Sequence, residues 1–411
     1  MTPPGTADQT ADQTADQTAA KIRDPRLDFF RGVGMFIILI AHITDNPWTL
    51  YIPARFGFSD ATEMFVFCSG MASALAFGAV FARAGWAMGA LSIAHRVWQV
   101  YWVHLGVFFM TVALMIALNA SGAFPRDEVG ALNLYPFLIN TGPNLIGLLT
   151  LTYVPNYFDI LPMYLVILAL IPVVMALAAV DVRLAIAASV LLWVAATLGL
   201  NLPAELWFTK PSARQWFFNP FAWQLVFFAG FAWMAGWLPA PPVNRVLIGL
   251  ALVIVIGSIP FAWHKIIDAS VFVRGWRSDW KVLFDKSDFG ILRLTHFLAL
   301  AYLAWVAVGP RGVRLRGPVV ALIGRVGQQS LAVFAASMVL ARVLGAVLNL
   351  AGGGALAALA VNLTGFALII GVARIAAFFK RAPWKAARTP APASPLAPAP
   401  SPSSGVQKWP A

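Results

Sequence analysis

Ten long apolar runs, separated by short polar or charged segments, fill the chain between residues 26 and 381. They fall at roughly 29–46, 61–83, 94–119, 158–179, 183–200, 220–238, 244–263, 291–309, 328–350 and 355–379. Each is close to the ~20 residues an α-helix needs to cross a bilayer, although the fifth is short. The runs are apolar on all sides, without the alternation that barrel strands require. The pattern predicts an all-α fold, a polytopic transmembrane helix bundle of about ten spans. Within 129–157 a further apolar patch, 145–154, has the size of an interfacial or re-entrant piece.

Composition agrees. Of the 411 residues 60% are hydrophobic and 11% charged, against the about 25% charged that soluble domains carry. Mean hydropathy is +0.76. A soluble enzyme, a disordered protein, a coiled coil and a secreted disulfide scaffold are all excluded. Cys68 is the only cysteine, so no internal disulfide and no cysteine-based metal site can form, and no metal centre is expected.

The polar ends read differently. Residues 6–18, TADQTADQTADQT, are a four-residue repeat with no apolar face. Residues 1–25 are therefore expected to be a disordered tail, 26–381 the transmembrane domain, and the Pro/Ala/Ser-rich 382–411 a second flexible tail. No signal peptide is expected, because the first apolar run follows several charges and lacks a small-residue cleavage site. Neither a repeat at 20–50 residues nor a correspondence between halves is visible.

The net charge of +12 does not imply nucleic acid once the bases are located. Lys21, Arg23, Arg26 and Arg31 flank the first run; Arg311, Arg314, Arg316 and Arg325 precede the ninth; Lys380, Arg381, Lys385 and Arg388 follow the tenth. In a ten-span chain these segments share one side, so both termini are expected to be cytoplasmic. The opposite loops carry Asp45, Asp60, Asp127, Glu128 and Glu205. The segment 264–290 mixes Lys265, Arg274, Arg277, Lys281 and Lys286 with four aspartates and is read as an extracytoplasmic loop that either meets an acceptor or is simply solvated.

Candidate chemistry lies near the start. Arg31 and His42 are eleven residues apart, which is three helical turns plus about 20°, on one face and about 16 Å apart along the axis. A buried ionisable group in a membrane usually faces a cavity or a helix interface. His42 is thus a candidate base, the alternative being a histidine bonded to a neighbouring helix. Asp45, Asp60 and Glu63 are candidates to orient it; Asp60 and Glu63 also suit the start of a helix, where acids oppose the dipole. Arg96 either anchors the third span at the interface or meets an anionic cytosolic substrate. Ser69, Gly70, Ala72 and Ser73 read as packing residues. Arg342 and Arg374 lie near enough to helix ends to snorkel, and Arg293 and His296 open the eighth span at i, i+3 spacing with no assigned role.

The segment Leu27-Asp28-Phe29-Phe30-Arg31-Gly32 followed by His42 resembles the LDxxRG opening and Arg-x10-His spacing of the acyltransferase-three superfamily of membrane proteins. Phe67-Cys68-Ser69-Gly70 resembles its second-helix F-x-SG segment, and Gly327-Gln328-Gln329-Ser330-Leu331 its late G-x-x-SL segment. Arg96 lies where that superfamily has basic residues. Within it, residues 24–78 are very similar to OpgC-domain proteins. One departure is that the residues after Leu331, AVFAASMVL, hold no histidine where many members have one.

The resemblance implies an O-acyltransferase of the bacterial inner membrane that moves a succinyl group from cytosolic succinyl-CoA to a periplasmic glucan. It implies His42 as the base, Arg31 and Arg96 as contacts for the acyl-CoA donor, and no permanently bound cofactor. Expected partners are the glucan acceptor, the acyl-CoA donor and the lipid bilayer. Acetylation of another envelope glycan, or a non-enzymatic glycan transporter or export partner, are the alternatives.

Overall fold

The structure, a computed structural model, describes residues 24–205, 214–382 and 384. Residues 1–23, 383 and 385–411, most of the two expected tails, lie outside the described residues, as do Lys21, Arg23, Lys385 and Arg388. Among the described residues there is no β-strand, only an isolated bridge between Pro203 and Gln215.

Helix α1 (Pro25–His42) starts where Asp24 accepts a bond from the Arg26 amide and Pro25 supplies a pre-set φ. Helix α2 (Ala61–Ser73) begins with a capping box in which Asp60 accepts from backbone amides and Glu63 reaches back to the Asp60 amide. A π turn, Ala74–Gly78, leads into α3 (Ala79–Ala120). As one straight rod the 60 residues Ala61–Ala120 would measure about 90 Å, far beyond one bilayer. Gly85, at φ 80° and ψ 175°, breaks it, and Phe81 packs on Gly89 across the break. Glycine adopts that φ without a Cβ clash.

Three short helices follow: α4 (Glu128–Ala131), α5 (Tyr135–Ile139) and α6 (Thr141–Leu149). The apolar patch expected at 145–154 falls largely in α6, which buries Gly147 and Leu148 and exposes Ile146 and Leu149. Then come α7 (Ile160–Val180), α8 (Val182–Thr197), α9 (Pro220–Met234) and α10 (Arg245–Ala262). The expected loop 264–290 is largely helical, with α11 (His264–Ala269) and α12 (Val271–Asp279). The last described helices are α13 (Ile291–Val308), α14 (Pro318–Gln328), α15 (Ser330–Leu350) and α16 (Ala355–Arg381).

Six of these stretches are long and apolar enough to cross a membrane: Ala61–Ala120, α7, α10, α13, α15 and α16. Two more, α8 and α9, are apolar but shorter. The outward faces stay apolar: α10 alone exposes Val246, Leu250, Val253 and Ile256. Such stripes suit lipid, not water. The protein is an all-α membrane helix bundle.

Helix α1 lies inside the bundle, packed on α14, α2 and α15; α2 packs on α9, and α3 on α7 and α15. The small residues of α2 do what their size suggests. A Cβ on Gly70 would strike the Phe227 carbonyl of α9, and one on Gly230 the Phe67 carbonyl of α2. The end of the bundle where α1 starts is called proximal here, and the end where it finishes distal. Gly312 touches Pro25 and Arg26 at the proximal end. Arg126 pairs with Asp45 at 2.8 Å at the distal end.

Two expectations are corrected. The segment before the ninth span is not a loop: α14 forms there and lies along α1. Arg342 does not snorkel. It is 5% exposed and bonds Glu128 of α4 and the Thr44 hydroxyl, each at 2.7 Å. A guanidinium held by a carboxylate inside the protein has no reason to reach for the interface.

Candidate active site

At the distal end of α1 the His42 ring donates from Nδ1 to the Ile38 carbonyl, 2.7 Å away. A carbonyl only accepts, so Nδ1 carries a proton, and when the imidazole is neutral Nε2 is its basic nitrogen. The Tyr157 ring stands edge-on to it, centroids 5.4 Å apart at 74°. Tyr157 is itself constrained. It takes φ 85°, rare for an L side chain, its hydroxyl donates to the Met338 carbonyl at 2.5 Å, and the Arg342 guanidinium lies 5.7 Å from its ring centre.

His42 and Tyr157 line a cavity of about 660 Å³, within the roughly 300–1,000 Å³ of small-molecule sites. Its inner end is apolar: Ile38, Phe65 and Phe334, the two phenylalanine rings stacked at 5.9 Å. Aromatic faces come from Trp216 and Phe217, and polar groups from Asn156, Asn201, Asp159 and Asp288. Flat apolar rings beside amides and carboxylates are what a polyhydroxylated ring requires: faces for its C–H groups and partners for its hydroxyls.

The carboxylates considered as orienting groups are committed elsewhere. Asp45 pairs with Arg126 and accepts from Asn349. Asp60 caps α2 and accepts from Lys286 at 2.6 Å and Arg293 at 3.4 Å. Burial alone would raise the Asp60 pKa, but the charges of Lys286 and Arg293 and its hydrogen bonds hold the carboxyl well below the usual carboxylate range. Glu63, fully buried, takes Arg293 Nε at 2.7 Å. None of the three bonds His42. A carbonyl one turn back in the same helix already satisfies Nδ1, so the carboxylate orienter expected from the sequence is replaced by backbone.

Arg31 and His42 do share one helix, but the cavity does not join them. Arg31 lines no part of it. Met35, fully buried, and Ile38 lie on α1 between the two. Arg31 instead donates to the Ser330 hydroxyl at the start of α15. Beside it, Gln328 donates to the buried carboxylate of Asp28 at 3.2 Å. Gly32 faces the Ile323 carbonyl and Gly327 the Asp28 carbonyl so closely that a Cβ on either would collide. Arg96, part-exposed on α3, bonds Gln99 at 3.2 Å and does not line the His42 cavity.

A family model described as OpgC protein matches residues 23–381. The chain belongs to the OpgC family. No curated protein and no solved structure matches it. The OpgC match runs far beyond residues 24–78, which carried the resemblance. It takes in both the His42 cavity and the junction of Arg31 with Ser330. The OpgC family points to a glucan-modifying membrane protein and to a transferase.

Several site residues had no sequence signal: Tyr157, Asp159, Trp216 and Asp288 sit in or beside loops whose proximity to His42 is purely tertiary. Arg293 did have one, its i, i+3 partner His296. That pair proves to brace the start of α2, with Arg293 on Glu63 in its first turn and His296 Nδ1 2.7 Å from the Ser59 hydroxyl just before it.

Proposed function

We propose that the chain is a membrane O-acyltransferase. In this reading it moves an acyl group, succinyl first among the candidates, from cytosolic acyl-CoA to hydroxyls of a periplasmic glucan. It crosses the inner membrane ten times, with Ala61–Ala120 counted as two passes about Gly85 and both termini cytoplasmic. The proximal end is then cytoplasmic. Arg311, Arg314 and Arg316 gather there beside Arg26, in keeping with the positive-inside bias.

The single observation that carries the reading is His42: an imidazole whose Nδ1–H is committed to the Ile38 carbonyl, lining a sugar-sized cavity at the distal end. Its Nε2 removes the proton of a glucan hydroxyl. The freed oxygen adds to the thioester carbonyl, the C–S bond breaks, and the imidazolium returns its proton to the departing thiolate. Lys286 lines the same cavity and supplies positive charge toward the oxyanion. The donor approaches from the proximal end, where Arg31 and Arg96 are its candidate contacts. Met35 and the Phe65–Phe334 stack must move aside for the acyl group to pass.

The test is mass spectrometry of periplasmic glucans from wild type, a deletion strain, and the deletion complemented with His42→Ala. The acyl increment should vanish on deletion and stay absent with the variant expressed at normal level. Glucans unchanged across the three strains would overturn the assignment and turn the search toward other envelope glycans or transport.

A further inference from the structure

A second cavity, of about 320 Å³, lies at the distal end between the start of α2 and the segment 262–286. It is cationic. Lys286 and Arg293 on its wall are already matched by Asp60 and Glu63. Arg55, Arg277 and Lys281 line it too, and none has a carboxylate within ion-pair distance among the described residues. Against these three stands only Asp285.

Arg277 is the informative member. Its guanidinium lies 4.6 Å from the centre of the Phe284 ring and donates to the Phe261 carbonyl. Phe284 belongs in turn to a three-ring cluster with Phe58, at 5.4 Å and 24°, and Trp276, at 5.8 Å and 14°, these two lying 6.3 Å from each other. The cation is therefore held in place without an anion, against one ring of an aromatic cluster. A fixed, partly desolvated guanidinium is a strong receptor for phosphate or carboxylate oxygens.

The two cavities adjoin at Lys286. Lys286 lines both; Asp285 faces the second, and Ser287 and Asp288 the first. A saccharide longer than one ring, seated at His42, has Lys286 and the cationic cavity beside it. We infer that this cavity is a subsite for an anionic group, a phosphate or a carboxylate, carried by the saccharide whose hydroxyl reaches His42. The inference rests on the proposed acceptor reading.

Binding can be measured by calorimetry on the full chain in phosphatidylcholine nanodiscs, with glucose, glucose 6-phosphate and inorganic phosphate as probes and no acyl donor present. Glucose 6-phosphate should bind about tenfold more tightly than glucose, the gain of one charge-assisted contact. Arg277→Gln should bring the two within about twofold. Lys281→Gln, at the exposed rim where folding is least at risk, should lower the preference by itself. The preference should survive when phosphatidylglycerol is added to the nanodiscs. Equal binding of the two sugars by wild type would overturn the inference, as would a preference that both variants retain. Inorganic phosphate binding as tightly as glucose 6-phosphate would mean a free-anion site, and loss of preference with phosphatidylglycerol a lipid headgroup site; either overturns it. Because no transfer is measured, a failure here is separate from unchanged glucans in the His42→Ala strain.

Discussion

Arg31 donates to the hydroxyl of Ser330, joining a residue near the start of the chain to one near its end. Around that bond Asp28 meets Gln328, and Gly32 and Gly327 each press on the other helix's backbone. The early LDFFRG and late GQQSL segments are thus one structural unit, the contact between α1, α14 and the start of α15. The spacing within each segment follows from that contact, with the glycines where the backbones approach, Asp28 and Ser330 about one turn from them, and Arg31 and Gln328 directly beside them.

A first prediction follows from that contact. Gly327→Ala forces a methyl group into the Asp28 carbonyl and should cost about 3 kcal/mol, the upper range for overpacking. Thermal melting in detergent should show a clear loss. Melting equal to wild type would contradict the close approach of α14 and α1.

Tyr157 is held against His42 by its backbone, its hydroxyl and the Arg342 charge. Tyr157→Phe keeps the ring edge and loses only the bond to Met338, so transfer should fall by less than about tenfold. Tyr157→Ala frees the imidazole and should lower kcat by about a hundredfold. Glucan acylation rates at saturating donor separate the two, and a harmless Tyr157→Ala would remove Tyr157 from any positioning role.

The Arg342–Glu128 pair is nearly sealed from solvent. Removing one partner leaves the other charge buried, at about 3–5 kcal/mol. Glu128→Gln and Arg342→Met should each destabilise strongly, while the double variant should recover much of the loss. Additive losses in a double-mutant cycle would show that the two groups act independently.

Asp60 gives a pH prediction. Its folded pKa is depressed by Lys286 and Arg293, so its contribution is fully present above the unfolded value of about 3.9 and fades as pH falls below it toward the folded value. Asp60→Asn should therefore destabilise by about 3 kcal/mol at pH 7. The gap to wild type should stay constant down to about pH 4 and narrow only below that. A gap that fails to narrow below pH 4 would mean that the carboxyl is not held by these cations.

The helix class was legible because a residue that must face lipid has few alternatives, and long apolar runs announce it. Caps were legible for a similar local reason: Asp60 and Glu63 sit three apart at a helix start and form the box that spacing suggests. Arg31 and His42 were recognisable by type and spacing on one helix. What they touch was not. Glu63 finds Arg293, Arg342 finds Glu128, and Tyr157 finds His42 only when distant helices pack, and no local period encodes such pairs. Helix α14 was missed for another reason. Its apolar face is short and interrupted by Arg325, so it reads as connection until α1 is placed beside it.

The stacked rings of Phe65 and Phe334, with Ile38 and Met35 beneath them, close the inner end of the His42 cavity. Under the proposed topology that plug is an electrical insulator. The cavity admits water and protons from one compartment, and a continuous wet path to the other would discharge the gradient across the bilayer. Each transfer event must therefore pass an acyl chain through the plug while keeping ions out. A succinyl group carries a carboxylate and cannot simply replace apolar rings, so in this reading a bound donor that fills the opened gap would itself be the seal during the moment of opening.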